Sequence, residues 1–150
     1  MDLLILVLAL TLCVVASFLY SGAEIGFYSL SRVQVDLEAE HGHRSARRVR
    51  GLLGDEPALL ITLLIGNNIA LQLATFVGEE IARGRELNEA EQVLAVSVLL
   101  TPLVFLFGEA LPKETFRRRP HHMTYLAAGF IQASRWVYSV SYTHLRAHET

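Results

Sequence analysis

A chain of 150 residues with a mean hydropathy of +0.37 and 52% hydrophobic residues has the composition of a membrane protein, and its apolar residues come in blocks. Lys and Arg (13) nearly balance Asp and Glu (15), which leaves no global field that would argue for nucleic acid, so charge has to be read segment by segment. The single cysteine, Cys13, excludes an internal disulfide and a Zn-type cysteine cluster.

Leu3 to Tyr20 is apolar apart from Thr11 and Ser17 and can continue helically through Ser21 and Gly22 to about Leu30, long enough to cross a hydrocarbon core of roughly 30 Å. A secretory signal peptide would open on basic residues and end a shorter apolar core at a small-residue cleavage site. This chain opens Met1-Asp2 and has no base before Arg32, so a retained first span is expected over about 3–28. Ser31 to Gly54 turns polar, with Arg32, Arg44, Arg47, Arg48 and Arg50. Its apolar positions Val33, Leu37, Val49, Leu52 and Leu53 predict two short amphipathic helices over about 31–53, broken near Gly42 and lying at the membrane surface. The plain alternative is a solvated connector.

Asp55-Glu56-Pro57 reads as a helix start, with Asp55 as N-cap and Pro57 in the first turn. The apolar run behind it, interrupted by Gly66-Asn67-Asn68 and Gln72, gives a second span over about 58–78. An acidic connection, Glu79 to Glu91, leads to a third apolar run over about 92–112 that Pro102 should kink. Basic residues follow the first and third spans, including Lys113, Arg117, Arg118 and Arg119. The positive-inside rule therefore places the N-terminus outside, with residues 31–56 and those after Leu111 in the cytoplasm.

His121-His122 lies just past the last basic cluster and reads as interfacial, because two adjacent histidines without further ligands make no metal site. A further helix is expected over about 122–140, with Leu126, Phe130, Ala133 and Val137 on one face and Trp136 and Tyr138 as interface anchors. A fourth span is the competing reading, and Arg135 argues against it. Residues 141–150 (SYTHLRAHET) shift abruptly to polar composition and resemble translated adapter read-through, a non-native tail set aside from the fold. On that reading the chain is a fragment whose natural continuation is missing.

The stretch LVFLFGEALPKE, residues 103–114, carries the sharpest signal. It sets Glu109 in apolar sequence between the helix breakers Gly108 and Pro112. A carboxylate at the bilayer centre costs roughly 2.5 to 3.5 kcal/mol on insertion scales, so it should face protein, water or an ion. Pro112 has no N–H for the carbonyl of Gly108, which is left free beside the carboxylate. The topology brings Ser17 and Ser21 of the first span, Asn67 and Asn68 of the second, and Glu109 to compatible depth in the inner half of the membrane. Oxygen-only ligation with one carboxylate favours Mg²⁺, Ca²⁺ or Na⁺. Each residue also has a structural reading: serine bonded a turn back, asparagine as interhelical glue, and Glu109 paired with Lys113. Glu24 reads as a helix-end charge.

The run Ser17-Phe18-Leu19-Tyr20-Ser21-Gly22-Ala23-Glu24, then Ser29-Leu30-Ser31-Arg32, Ile65-Gly66-Asn67-Asn68 and Gly108-Glu109-Ala110-Leu111-Pro112-Lys113, resembles the transmembrane domain of the cyclin-M/CorC (hemolysin-like) magnesium transporters over residues 1–140. The resemblance implies an all-α, multi-pass cell-membrane protein of the bacterial inner membrane: a homodimer of three-span protomers, N-terminus out, with amphipathic juxtamembrane helices. It implies an inward-facing Mg²⁺ site formed by Ser17, Ser21, Asn67, Asn68, Gly108 and Glu109, with Na⁺-coupled Mg²⁺ export. It also implies a cytoplasmic pair of nucleotide-binding CBS modules, expected beyond this segment. Ala110-Leu111 departs from the family's usual β-branched pair before the proline, which alters packing and not ligands.

The expected function is thus the membrane domain of a Mg²⁺ transporter, in which Glu109 supplies charge, Ser21 and Asn68 supply neutral oxygens and the Gly108 carbonyl completes part of the shell. The rival is a dimeric membrane anchor that tethers cytoplasmic CBS modules and uses the polar cluster as glue. No Cys/His or Ser/His arrangement, Gly-rich phosphate loop or strand pattern points to an enzyme.

Overall fold

The structure, a computed structural model, describes residues 2–147, with side chains described for residues 2–140. The tail reading at 141–150 therefore falls outside the residues whose side chains are described. Six helices follow in order: α1 Leu3–Ser29, α2 Arg32–Glu40, α3 Arg44–Leu53, α4 Glu56–Arg83, α5 Glu89–Arg118 and α6 Pro120–Ala147. There is no strand among the described residues.

The helix boundaries follow from local chemistry. Ser31 caps α2 by accepting from the Gln34 N–H at 3.4 Å, and Gly42 turns the chain into α3 with φ of 93°, a left-handed conformation that glycine adopts without strain. Asp55 caps α4 through Ala58 N–H at 3.2 Å. A capping box starts α5 earlier than its apolar run: Asn88 Oδ1 accepts from Glu91 N–H at 2.9 Å, and Glu91 Oε2 accepts from Asn88 N–H at 3.1 Å.

Helices α1, α4 and α5, of 27, 28 and 30 residues, are long and apolar enough to cross a membrane, and α6 is not among them. Neither Gly108 nor Pro112 breaks α5. Instead Val96–Leu100 and Leu106–Ala110 are wound in the wider π register, with Thr101 N–H on the Val96 carbonyl and Leu111 N–H on the Leu106 carbonyl. Each π segment ends two residues before a proline, Pro102 or Pro112. A proline offers no N–H to the carbonyl four residues back and its ring presses on that carbonyl. Widening the preceding turn relieves the conflict and lets the helix continue to Arg118.

The apolar core gathers at one end of the three long helices. Tyr20, Ala23 and Phe27 of α1, Leu59 and Leu63 of α4, and Phe116 of α5 pack there with Val35, Val49 and Leu52 of α2 and α3 and with Ala127, Ala128 and Ile131 of α6. At the far end Leu4, Leu8 and Leu12 of α1 and Val93, Val98 and Leu99 of α5 are exposed, an apolar surface suited to lipid and not to water. Glycines permit the close crossings. A Cβ at Gly22 would come within 2.3 Å of the Phe116 ring, and one at Gly66 within 2.3 Å of the Tyr20 ring.

Gly66, Ala70, Ala74 and Gly78 form a buried stripe along α4, with Gly66 on Tyr20 of α1 and Gly78 on Leu100 of α5. That small-residue face is used within the protomer. Helix α6 lies against α1, α3 and α4. Tyr20 stacks on Phe130 with ring centroids 4.9 Å apart, and its hydroxyl meets Ser134 Oγ at 2.6 Å. Arg135 donates to Asp55 Oδ2 at 3.1 Å, which ties its charge to the start of α4. The buried face of α6 is Thr124, Ala127, Ala128 and Ile131, while Leu126, Ala133, Trp136 and Val137 turn outward.

Candidate functional site

Ser17 links the three long helices. It is fully buried, and its hydroxyl lies 2.8 Å from Asn67 Oδ1 on α4 and 3.1 Å from the Gly108 carbonyl on α5. Three sequence-distant oxygens thus meet in the bundle interior. The sequence explains each position. Gly108 lets α5 approach so closely that a Cβ there would stand 3.0 Å from Ser17 Oγ and 3.4 Å from Leu71 Cδ2. Pro112 cannot donate to the Gly108 carbonyl, and the Ser17 hydroxyl does so instead. One hydroxyl has a single proton to share between two acceptors, so lone pairs remain available at the junction.

Ser21 stands one turn from Ser17 on the same face of α1. It is also buried, yet its Oγ has no hydrogen-bond partner among the described residues. A buried hydroxyl left unmatched costs about 1–3 kcal/mol, an expense that a ligand or water at the site would relieve. Glu109 is half-buried on the α5 face that, with Leu71 and Thr75 of α4 and Leu100, Thr101, Val104 and Phe105 of α5, lines a groove of about 230 Å³. Among the described residues its carboxylate makes no ion pair, with Lys113 or any other cation.

Asn68 lies apart from this junction. It is exposed, and its amide donates back to the Leu64 carbonyl at 2.9 Å. With the exposed Gln72 one turn on, it forms an outward polar pair along α4. Glu24 is half-buried in a separate cavity of about 160 Å³ near the Arg32–Glu56 ion pair. Of the six sequence candidates, Ser17, Asn67 and Gly108 are directly bonded, Ser21 and Glu109 sit one turn and one residue from bonded partners, and Asn68 faces away.

Sequence reasoning gave the neutral-oxygen role to Ser21 and Asn68, whereas the structure bonds Asn67 to Ser17 and leaves Asn68 exposed. A helical residue turns by about 100° from its neighbour, so only one of an adjacent pair can enter a junction. The buried Gly66-Ala70-Ala74 face was the signal that fixes which side of α4 is inward. The π turn at Leu106–Ala110 had a cue in Pro112, but its width has none in a pattern read at 3.6 residues per turn.

Residues 8–144 match the family described as Cyclin M transmembrane N-terminal domain. The chain is 36% identical over 106 residues to the UPF0053 inner membrane protein YfjD of Escherichia coli (strain K12), covering 71% of this chain and 24% of that protein. It is 32% identical over 108 residues to a UPF0053 protein of Haemophilus influenzae (strain ATCC 51907 / DSM 11121 / KW20 / Rd), covering 72% and 25%. The matched stretch thus spans about a quarter of the length of these curated relatives.

Proposed function

The chain belongs to the cyclin M transmembrane N-terminal domain family, and from that premise we propose that it is the membrane domain of a magnesium transporter of the bacterial inner membrane. In this reading Mg²⁺ is exported, coupled to Na⁺, through a site of oxygen ligands open to the cytoplasm, with the N-terminus outside. The observation that carries the proposal is the Ser17 hydroxyl held between Asn67 Oδ1 and the Gly108 carbonyl, beside a Ser21 hydroxyl and a Glu109 carboxylate that have no hydrogen-bond partner and no ion-pair partner, respectively, among the described residues.

The donor chemistry suits a hard cation. Ser17, Ser21, Asn67 and Gly108 offer neutral oxygens, Glu109 offers charge, and no soft ligand lies among them. Mg²⁺ takes six ligands near 2.0–2.1 Å and sheds water reluctantly. A few protein oxygens with retained waters are therefore the expected shell, and a complete cage is not required. Without the ion, the Ser17 proton serves as the electrophile that holds two acceptors together. With an ion bound, Ser17, Asn67 and the Gly108 carbonyl would hold it through oxygen lone pairs, and Glu109 would supply the negative charge, a pairing that offsets the cost of a carboxylate in the membrane.

The outward pair Asn68 and Gln72 supports a homodimer, because polar side chains facing hydrocarbon are costly and a second copy would cover them. Asn68 thereby gains a role at the protomer boundary. The test of transport is Mg²⁺ flux in proteoliposomes from a full-length version carrying Glu109→Gln or Ser21→Ala. Both variants should lose flux, and wild-type flux in both would sink the assignment.

The same hydrogen bonds favour a second reading, a dimeric membrane anchor for cytoplasmic CBS modules in which Ser17 and Asn67 are interhelical glue. The anchor predicts that Asn68→Leu weakens assembly while no saturable cation binding occurs at any concentration. Calorimetry with Mg²⁺ separates the two.

A further inference from the structure

Helix α3 carries four arginines within seven residues, Arg44, Arg47, Arg48 and Arg50. Its opposite face, Ala46, Val49 and Leu52, is buried in the core, which leaves the arginines no inward orientation. Arg47 is engaged, its Nε donating to the Ala39 carbonyl at 3.3 Å and tying α3 to α2. Arg48 reaches along α6, where a Cβ on Gly129 would come within 3.2 Å of its Nη1. Arg44, Arg48 and Arg50 form no ion pair among the described residues, although the neighbouring α2 carries Asp36, Glu38 and Glu40.

The place of α3 is fixed. Leu53 is followed by Gly54 and then by Asp55, the N-cap of α4, so α3 must lie at the membrane surface where α4 enters. The neighbouring helices also expose large apolar side chains: Val33 and Leu37 of α2 are 70% and 51% exposed, and Leu126 and Trp136 of α6 are 67% and 69% exposed. Basic side chains beside outward-facing Leu, Val and Trp at interface depth match a bilayer with anionic headgroups, which takes the charge above and the apolar groups below.

We infer that α3 is a docking site for anionic glycerophospholipid headgroups of the leaflet on its side of the membrane, with Arg44, Arg48 and Arg50 binding phosphate. The inference rests on the membrane reading above and is independent of the cation site. Guanidinium forks bind phosphate oxygens in pairs. Each basic residue near such a surface contributes about 1 kcal/mol, or roughly fivefold in preference, and the effect fades with salt.

Trp136, the single tryptophan, is a built-in reporter. It lies two turns from Gly129 on the same side of α6, close to the reach of Arg48. The protein is reconstituted in phosphatidylcholine nanodiscs doped with brominated phosphatidylglycerol or brominated phosphatidylcholine, and Trp136 quenching is followed against the brominated fraction. Wild type should be quenched at a severalfold lower fraction of the anionic lipid, and raised salt should shrink the difference. Arg44→Gln/Arg48→Gln/Arg50→Gln should abolish the preference, while the matching triple Lys variant keeps most of it. Equal quenching by both lipids in wild type, or an undiminished preference in the triple Gln variant, overturns the inference. Glu109→Gln should retain the lipid preference, so failure here is distinct from failure of the cation site.

Discussion

A double-mutant cycle between Ser17 and Gly108 probes the junction directly. Ser17→Ala removes the hydroxyl that serves Asn67 Oδ1 at 2.8 Å and the Gly108 carbonyl at 3.1 Å. Interhelical hydrogen bonds in membranes average about 0.6 kcal/mol and reach about 1.7, so a loss near 1 kcal/mol is expected. Gly108→Ala introduces a methyl whose carbon stands 3.0 Å from Ser17 Oγ, tighter than van der Waals contact, and 3.4 Å from Leu71 Cδ2. Overpacking of this kind costs about 1–3 kcal/mol, and the displaced hydroxyl cannot keep both bonds. In the double mutant the hydroxyl is gone, and the new methyl meets only Leu71 at 3.4 Å and the residue 17 Cβ at 3.5 Å, both ordinary contacts. The double mutant should therefore cost no more than Gly108→Ala alone, a coupling of about 1 kcal/mol. The helix-propensity gain of replacing glycine occurs on both arms and cancels. Reversible unfolding in mixed dodecyl-maltoside and dodecyl-sulfate micelles, followed by far-UV circular dichroism, gives the four free energies. Additivity within about 0.5 kcal/mol would refute the contact.

Three further outcomes are expected. Gly66→Ala drives a Cβ to within 2.3 Å of a Tyr20 ring held by Phe130 and Ser134, so it should lose about 2–3 kcal/mol in the same unfolding assay, with partial recovery on adding Tyr20→Leu. Asp55→Ala removes both the α4 cap and the partner of Arg135 and should cost about 1–2 kcal/mol, whereas Asp55→Asn keeps the cap and should cost less than about 1. The Tyr125 hydroxyl and the Gln34 amide hold the Glu38 carboxylate below its usual range. Its folded value lies below its unfolded one, so the stabilisation is full above about pH 4.3 and is lost as pH falls through the folded value. Thermal unfolding between pH 3 and 6 should show that loss in wild type and a flatter profile in Glu38→Gln.

Much of the architecture was legible because bilayers impose a strong rule: three apolar runs of spanning length have few alternatives to helices. Gly42 and Asp55 announced their turn and cap by residue type alone. The third span was harder to bound. Asn88 and Glu91 form a capping box that lies upstream of the apolar run, and Pro112 suggested an end where the π register supplies continuity. For the site, residue types and depth were readable, but azimuth was not. Asn67 and Asn68 differ only in which side of α4 they face, and that is settled by the packing of Gly66 on Tyr20. Likewise the Leu126, Phe130, Ala133 and Val137 face of α6 was visible in the sequence, but not its division: Leu126, Ala133 and Val137 turn outward while Phe130 packs on Tyr20, beside the buried Thr124, Ala127 and Ile131.

If Ser17, Ser21, Asn67, Gly108 and Glu109 bind a hard divalent cation, as proposed, Mg²⁺ must stabilise the folded protein. A ligand that binds only the folded state stabilises it by about 2.7 kcal/mol at one hundred times its dissociation constant. Thermal unfolding of the purified protein should rise saturably with Mg²⁺. Glu109→Gln should unfold near the wild-type temperature without Mg²⁺, since Glu109 has no ion-pair partner among the described residues, and should show no rise when Mg²⁺ is added. A Mg²⁺-independent transition in wild type, or an equal rise in Glu109→Gln, would rule out a cation site at this junction.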